Sequence, residues 1–217
     1  MDLFEAIAAG DGDAASALLS TDPGLGHRRH PSGPTPVLYA LYQGQRPLAE
    51  ALAAQLDLDL PEAAALDDLD RVTELLDGGG PVDGRTPDGF TPLHLSAYFG
   101  APRVAALLLA RGADVAAVAD NPMRIQALHA AAASRRPDIA TALLAAGADA
   151  DATQQGGYTP LMAAAGNGDR ALAHALLAAG ADPARTNDSG ASPADIAREH
   201  GHAALADELD TAVTART

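Results

Sequence analysis

Seven histidines and a large excess of carboxylates are the groups in this 217-residue chain with the means to do chemistry. His94 and His129 each close a four-residue motif, TPLH and QALH. As general bases they would each need an orienting acid and a nucleophile within reach, and the surrounding sequence implies neither. His27 and His30 lie three apart in PGLGHRRHPSGP, but the stretch has no helical frame and no adjacent carboxylate to complete a metal site, so it reads as a solvated loop. His200 and His202 flank a helix end. The carboxylates from Asp67 to Asp70 lack the alternating oxygen ligands and glycine turn of a calcium loop; they read as turn and helix N-terminal charge. GGGPVDG at 78–84 is not followed by a helix carrying Lys and Ser or Thr, so it reads as a turn. No GxGxxG, GxSxG or HExxH pattern occurs, and there is no cysteine. The residues predict no catalytic group, no metal site and no cofactor.

The elements that carry these histidines are far better specified. From Asp88 to Ala116 the chain reads DGFTPLHLSAYFGAPRVAALLLARGADVA. Thr91 is an N-cap residue, and Pro92 takes the first helical position, where its missing N–H costs nothing. Leu93, Leu95 and Ala97 begin an apolar helix that stops at Gly100. A second helix starts near Pro102, carries Val104, Leu107, Leu108 and Leu109, and stops at Gly112. QALH from Gln126, TPLM from Thr159 and SPAD from Ser192 then open further copies, at successive spacings of 35, 33 and 33 residues. LLLARGAD, ALLAAGAD and ALLAAGAD close them, ending at Asp114, Asp149 and Asp182. A fixed period of this size is the mark of a repeat architecture.

With TPLH opening the first helix and LLxxGAD closing the second, the chain resembles the ankyrin-repeat family. The resemblance is strong from Thr86 to His200 and looser before. It implies an all-α solenoid of stacked helix–turn–helix units with short hairpin-like turns. The whole of residues 1–217 reads as a single domain with units starting near 1, 35, 58, 91, 126, 159 and 192. The first and last units would act as caps, and the third is truncated at its leading turn. Inside this frame the motif histidines are structural: His94 pairs with Thr91 and with backbone of a neighbouring turn. His129 faces Gln126 instead of Thr, so the role carries over less completely to it, and Met162 replaces the histidine beside Thr159. The GADVNA asparagine that braces the family's turn is also missing, with Ala117, Ala152 and Arg185 in its place.

The resemblance further implies a non-enzymatic module that binds a partner protein on its concave face. The family's contact positions are the hairpin tip, the residue before the TPLH threonine, and the end of the inner helix. They map here to Tyr42, Gln43, Asp88, Phe90, Tyr98, Phe99, Tyr158 and Asn167. Five of the seven aromatics fall on that face, although burying a Phe in a core is worth roughly 1.5–3 kcal/mol. The longer connection VAAVADNPMRI projects Met123 and Ile125 as further contacts. The alternatives are a small-molecule or enzymatic site at the irregular junction 56–70, and a structural or self-associating role.

Composition narrows the partner. The net charge is −15, from 14 basic against 29 acidic residues, and every basic residue other than histidine is arginine. That bias, with the many Ala and Gly, points to a GC-rich bacterial genome. An acidic chain lacks the basic footprint that a phosphate backbone demands, so nucleic acid is not expected; the charge reads first as the solvated faces of a soluble repeat protein, and second as a match for a partner protein with a basic surface. No signal sequence and no 18-residue apolar run is present, so the expectation is a cytoplasmic monomer with no membrane association.

Overall fold

The structure, a computed structural model, describes residues 1–215, and those residues form paired α-helices. The pairs are α1 (Leu3–Ala9) with α2 (Gly12–Thr21), α3 (Pro36–Tyr42) with α4 (Arg46–Ala53), and α5 (Leu60–Leu66) with α6 (Leu69–Asp77). They continue with α7 (Pro92–Phe99) and α8 (Pro102–Ala110), α9 (Ala127–Ala133) and α10 (Pro137–Ala145), α11 (Pro160–Asn167) and α12 (Arg170–Ala178), and α13 (Pro193–Glu199) and α14 (Ala203–Thr214). The odd-numbered helices stack on one another as an inner layer. The outer layer runs α2–α4 and then α6–α8–α10–α12.

Local signals set the helix ends. Thr35, Thr91, Thr159 and Ser192 each accept from the third backbone N–H of the helix they start, with proline at the first position. The inner layer is buried by Leu38, Leu93, Leu95, Leu128 and Leu161, and the outer by Leu52, Leu108, Leu143 and Leu176. Alanines fill the space between, as Ala63 to Ala65 do in α5 and Ala130 to Ala132 in α9. These small side chains let neighbouring inner helices pack closely.

The truncated third pair is held by side chains in place of a hairpin. Asp67 ends α5 in the left-handed region at φ 62°, which short polar residues tolerate better than other L-residues. Its Oδ1 accepts from the Val104 backbone N–H at 3.0 Å, so it caps the start of α8, and its Oδ2 accepts from Arg103 Nε at 3.0 Å. Asp68 caps its own helix through the Arg71 N–H. Arg46, at the start of α4, donates to the Leu66 carbonyl at 3.1 Å and the Phe99 carbonyl at 3.4 Å, tying the ends of α5 and α7 together. Asp67→Ala is therefore expected to lower stability by about 2 kcal/mol through loss of the α8 cap and αL strain, and Asp67→Asn by clearly less. Urea denaturation of the two variants checks this.

Residues 23–34 are mostly exposed, as expected of a solvated loop, but two points of the segment are packed. Pro23–His27 form a short 3-10 turn whose Gly26 backbone presses on Leu56; a Cβ there would lie 2.1 Å from Leu56 Cδ2. His30 stacks on Tyr39 with ring centroids 4.6 Å apart and meets the edge of Phe4 at 5.2 Å. Phe4 and Tyr39, the two aromatics outside the contact set, have apolar ring surface to cover, and the imidazole covers it.

Candidate functional site: a groove over the inner helices

Three hairpins and three inner helices build the site. The turn before α7 closes with Thr86 N–H bonded to the Phe90 carbonyl and Gly89 N–H to the Thr86 carbonyl. It joins the next turn through Asp120 N–H to the Gly89 carbonyl at 3.0 Å. Below the turns, His94 bonds the Thr91 hydroxyl through Nδ1 at 2.7 Å and the Ile125 carbonyl through Nε2 at 3.0 Å. His129 repeats the second bond, Nε2 to the Ala152 carbonyl at 3.0 Å, and its Nδ1 accepts from the Gln126 N–H at 3.2 Å. The threonine is thus dispensable for His129, a role more complete than the sequence implied: the backbone N–H of residue 126 supplies the partner. Burial lowers both imidazoles, His94 to about 4, so both are neutral near pH 7. With every ring nitrogen engaged, neither is poised as a base.

The missing turn asparagine has a substitute. Asp114, Asp149 and Asp182 accept from the N–H two residues on, at 2.9, 2.9 and 3.0 Å. Asp83 and Asp151 accept from the backbone N–H of Asp114 and Asp182 in the following turn. Acidic side chains therefore brace the turn ladder, a share of the chain's charge that is architectural.

Tyr42 reaches past the third pair, whose leading turn is short. Its hydroxyl donates to Asp88 Oδ2 at 3.0 Å, and its ring lies 5.4 Å from that of Phe99. Phe99 in turn meets the edge of Tyr98 at 5.0 Å. Desolvation of its hydroxyl and then the Asp88 carboxylate hold the Tyr42 phenol protonated, well above the ordinary phenol range, while part of the residue remains exposed. Between this wall and the next hairpin lies a cavity of about 360 Å³, lined by Tyr42, Phe90, Tyr98, Met123 and Ile125, with His94 and His129 among the lining residues. Three of these side chains are large, apolar and exposed: Tyr42 at 37%, Tyr98 at 47% and Met123 at 48%.

A family model described as ankyrin repeats matches the chain in three copies, over residues 3–119, 60–154 and 128–211. The chain belongs to the ankyrin-repeat family. Ankyrin repeats are generally protein–protein interaction modules. A search of curated proteins finds no match. Among the described residues of this ankyrin-repeat chain, no helix is long and apolar enough to cross a membrane.

Tyr42, Phe90, Tyr98, Met123 and Ile125 are thus brought together. Phe99 and Asp88 stand behind the wall and support it. Gln43 is exposed, outside the cavity, as is Tyr158 at 41%. Asn167 is engaged otherwise, donating to the Ala132 and Ala133 carbonyls at 3.0 and 3.2 Å, where α9 runs out of internal partners. Thr159 caps α11 through the Met162 N–H. Sequence reasoning missed Leu95, Ala130, Ala133 and Gln154 in the lining. The helical period from Tyr98 back to Leu95, and from Ala133 to Ala130, carries the signal for three of them. At the 56–70 junction the cleft is smaller, about 240 Å³. Its charged side chains are already engaged: Arg29 faces Asp59 at 3.9 Å, and Arg85 donates to the Gly89 and Val118 carbonyls.

Proposed function

We propose that this ankyrin-repeat chain is a non-enzymatic module that binds another protein in the groove over its inner helices. The observation that carries the reading is the clustering of exposed Tyr42, Tyr98 and Met123 around one apolar cavity in a chain with only seven aromatics. Exposed large apolar groups gathered on a concave wall are what a partner's anchor side chains bury, and aromatics dominate such hot spots. Phe90, Phe99, Ile125 and Asp88 hold the wall in shape, so little entropy is lost on binding. Gln43, Tyr158 and Asn167 form a periphery at most. The engaged histidines support the non-enzymatic reading, and the engaged side chains at 56–70 count against a small-molecule site there.

The test is paired affinity capture followed by calorimetry, with wild type and Tyr98→Ala, after circular dichroism shows both folded. Tyr98 is half exposed, so the variant is expected to fold normally and to lose about tenfold or more in affinity for the captured partner. Equal affinity for both proteins would move the interface off the groove. Sedimentation showing a dimer that Tyr98→Ala dissociates would assign the groove to a second copy of the chain.

A further inference from the structure

The chain's charge is unevenly placed, and two arginines at the groove are left without a carboxylate partner among the described residues. Most arginines of the outer layer and the ends are neutralised: Arg71 pairs with Asp57 and Glu74, Arg103 with Asp67, Arg111 with Asp77, Arg170 with Glu208, and Arg198 with Asp195 and Asp210. Around the groove the arginines divide: Arg46 pairs with Glu50 at 3.0 Å, whereas Arg136 and Arg124 do not pair among the described residues. The apolar cavity continues past Tyr42 and Tyr98, which it shares, into a second cleft of about 340 Å³ lined by Arg46, Ser134 and Arg136. Arg136 makes no side-chain hydrogen bond or ion pair among the described residues. Its guanidinium lies flat against Gly100, where a Cβ would come within 2.5 Å of Cζ, so the head group is placed at the cleft without being neutralised. Arg124, between the lining residues Met123 and Ile125 at the other end, is likewise without a carboxylate partner. Asp88, the carboxylate behind the shared wall, is turned to the Tyr42 hydroxyl. Arg136 is the N-cap residue of α10, which starts without a side-chain cap.

An apolar cavity that opens onto an unpaired, pre-positioned guanidinium fits a side-chain pair of matching order. We propose that the groove recognises a segment of a partner protein that places a bulky apolar side chain in the Tyr42–Tyr98–Met123 cavity and an Asp or Glu side chain on Arg136. This rests on the groove being the binding face. It reverses the partner charge that the chain's net −15 suggests. The reversal is physical: at about 0.15 M ionic strength fields are screened beyond roughly 8 Å, so the charges at contact outweigh the acidic outer layer. A guanidinium also offers the planar fork that grips a carboxylate, which an ammonium does not.

The probe is a random twelve-residue peptide library with amidated C-termini, panned on wild type at 0.15 M NaCl, with the selected peptides remeasured by fluorescence polarisation. The selected sequences should pair a large apolar residue with Asp or Glu a few positions away. Changing that acid to its amide should weaken binding to wild type about tenfold, and should change little on Arg136→Gln, as two partners of one bond require. Enrichment of Arg or Lys, or of no charge at all, overturns the proposal. Peptides lost with Tyr98→Ala but indifferent to Arg136→Gln overturn the acidic anchor and leave the groove reading standing. Peptides indifferent to Tyr98→Ala overturn that reading as well.

Discussion

Gly89→Ala is expected to destabilise the protein by about 3 kcal/mol and to loosen the two hairpins that wall the groove. Two effects add. Gly89 sits at φ 85°, where an L side chain is strained. A Cβ at that position would also lie 2.4 Å from the Asp120 carbonyl oxygen, far inside contact distance. The atoms it would meet are backbone, and the same backbone holds the Asp120 N–H to Gly89 O bond at 3.0 Å, so relief of the clash breaks the ladder between units. Urea denaturation measures the loss. Hydrogen exchange should place it at residues 86–90 and 119–125, with α13 and α14 unaffected, because in a stacked array each unit leans on its neighbours only. A midpoint equal to wild type would show that the turns shift at no cost.

The second large effect depends on pH. Glu62 is 5% exposed in α5, where its carboxylate caps the Asp59 N–H at 2.9 Å. Burial first, and then the nearby Asp59 charge, push it from 4.5 up to about 7. Because the folded value lies above the unfolded one, its protonated form favours the fold. That contribution is complete below pH 4.5 and is lost as pH rises through 7. His94 works from the other side. Its folded value of about 4 lies below the unfolded 6.5, so its contribution is present above pH 6.5 and fades as pH falls through 4. Between pH 4.5 and 6.5 the two slopes oppose and nearly cancel, so the wild type's stability should stay almost flat there, and a single substitution is needed to expose either group. Glu62→Gln, which keeps the cap and removes the charge, should gain up to about 3 kcal/mol at pH 8 and nearly nothing at pH 4.5. Thermal melts of both proteins from pH 4 to 9 read the result. A gain independent of pH would mean that packing, and not the carboxylate's charge, limits α5.

The groove substitutions proposed above should behave in the opposite way. Tyr98→Ala and Arg136→Gln alter side chains at the groove that are exposed or unpaired, so they should change affinity and leave these melts almost untouched.

The sequence by itself determined the local architecture. Thr91–Pro92, Thr159–Pro160 and Ser192–Pro193 mark helix starts because capping and proline preferences act within one turn of chain. The leucines of LLLARGAD and ALLAAGAD mark buried faces because the helical period repeats every few residues. The 33-residue spacing then fixed the family. Gln126 shows where such reasoning weakens. A motif predicts His129's neighbour through a side chain, whereas the bond that matters comes from backbone, which every sequence supplies.

Only the tertiary structure decided what the groove is. Tyr42 reaches Asp88 across 46 residues because the third pair lacks the long leading hairpin that would stand between them, a consequence of stacking that no local pattern encodes. The net charge of −15 counts residues without regard to place. Folding pairs most arginines of the outer layer with carboxylates and sets other carboxylates to bracing turns. It leaves Arg124 and Arg136 beside an apolar cavity, since an ion pair forms where two side chains meet in space and not where their numbers balance.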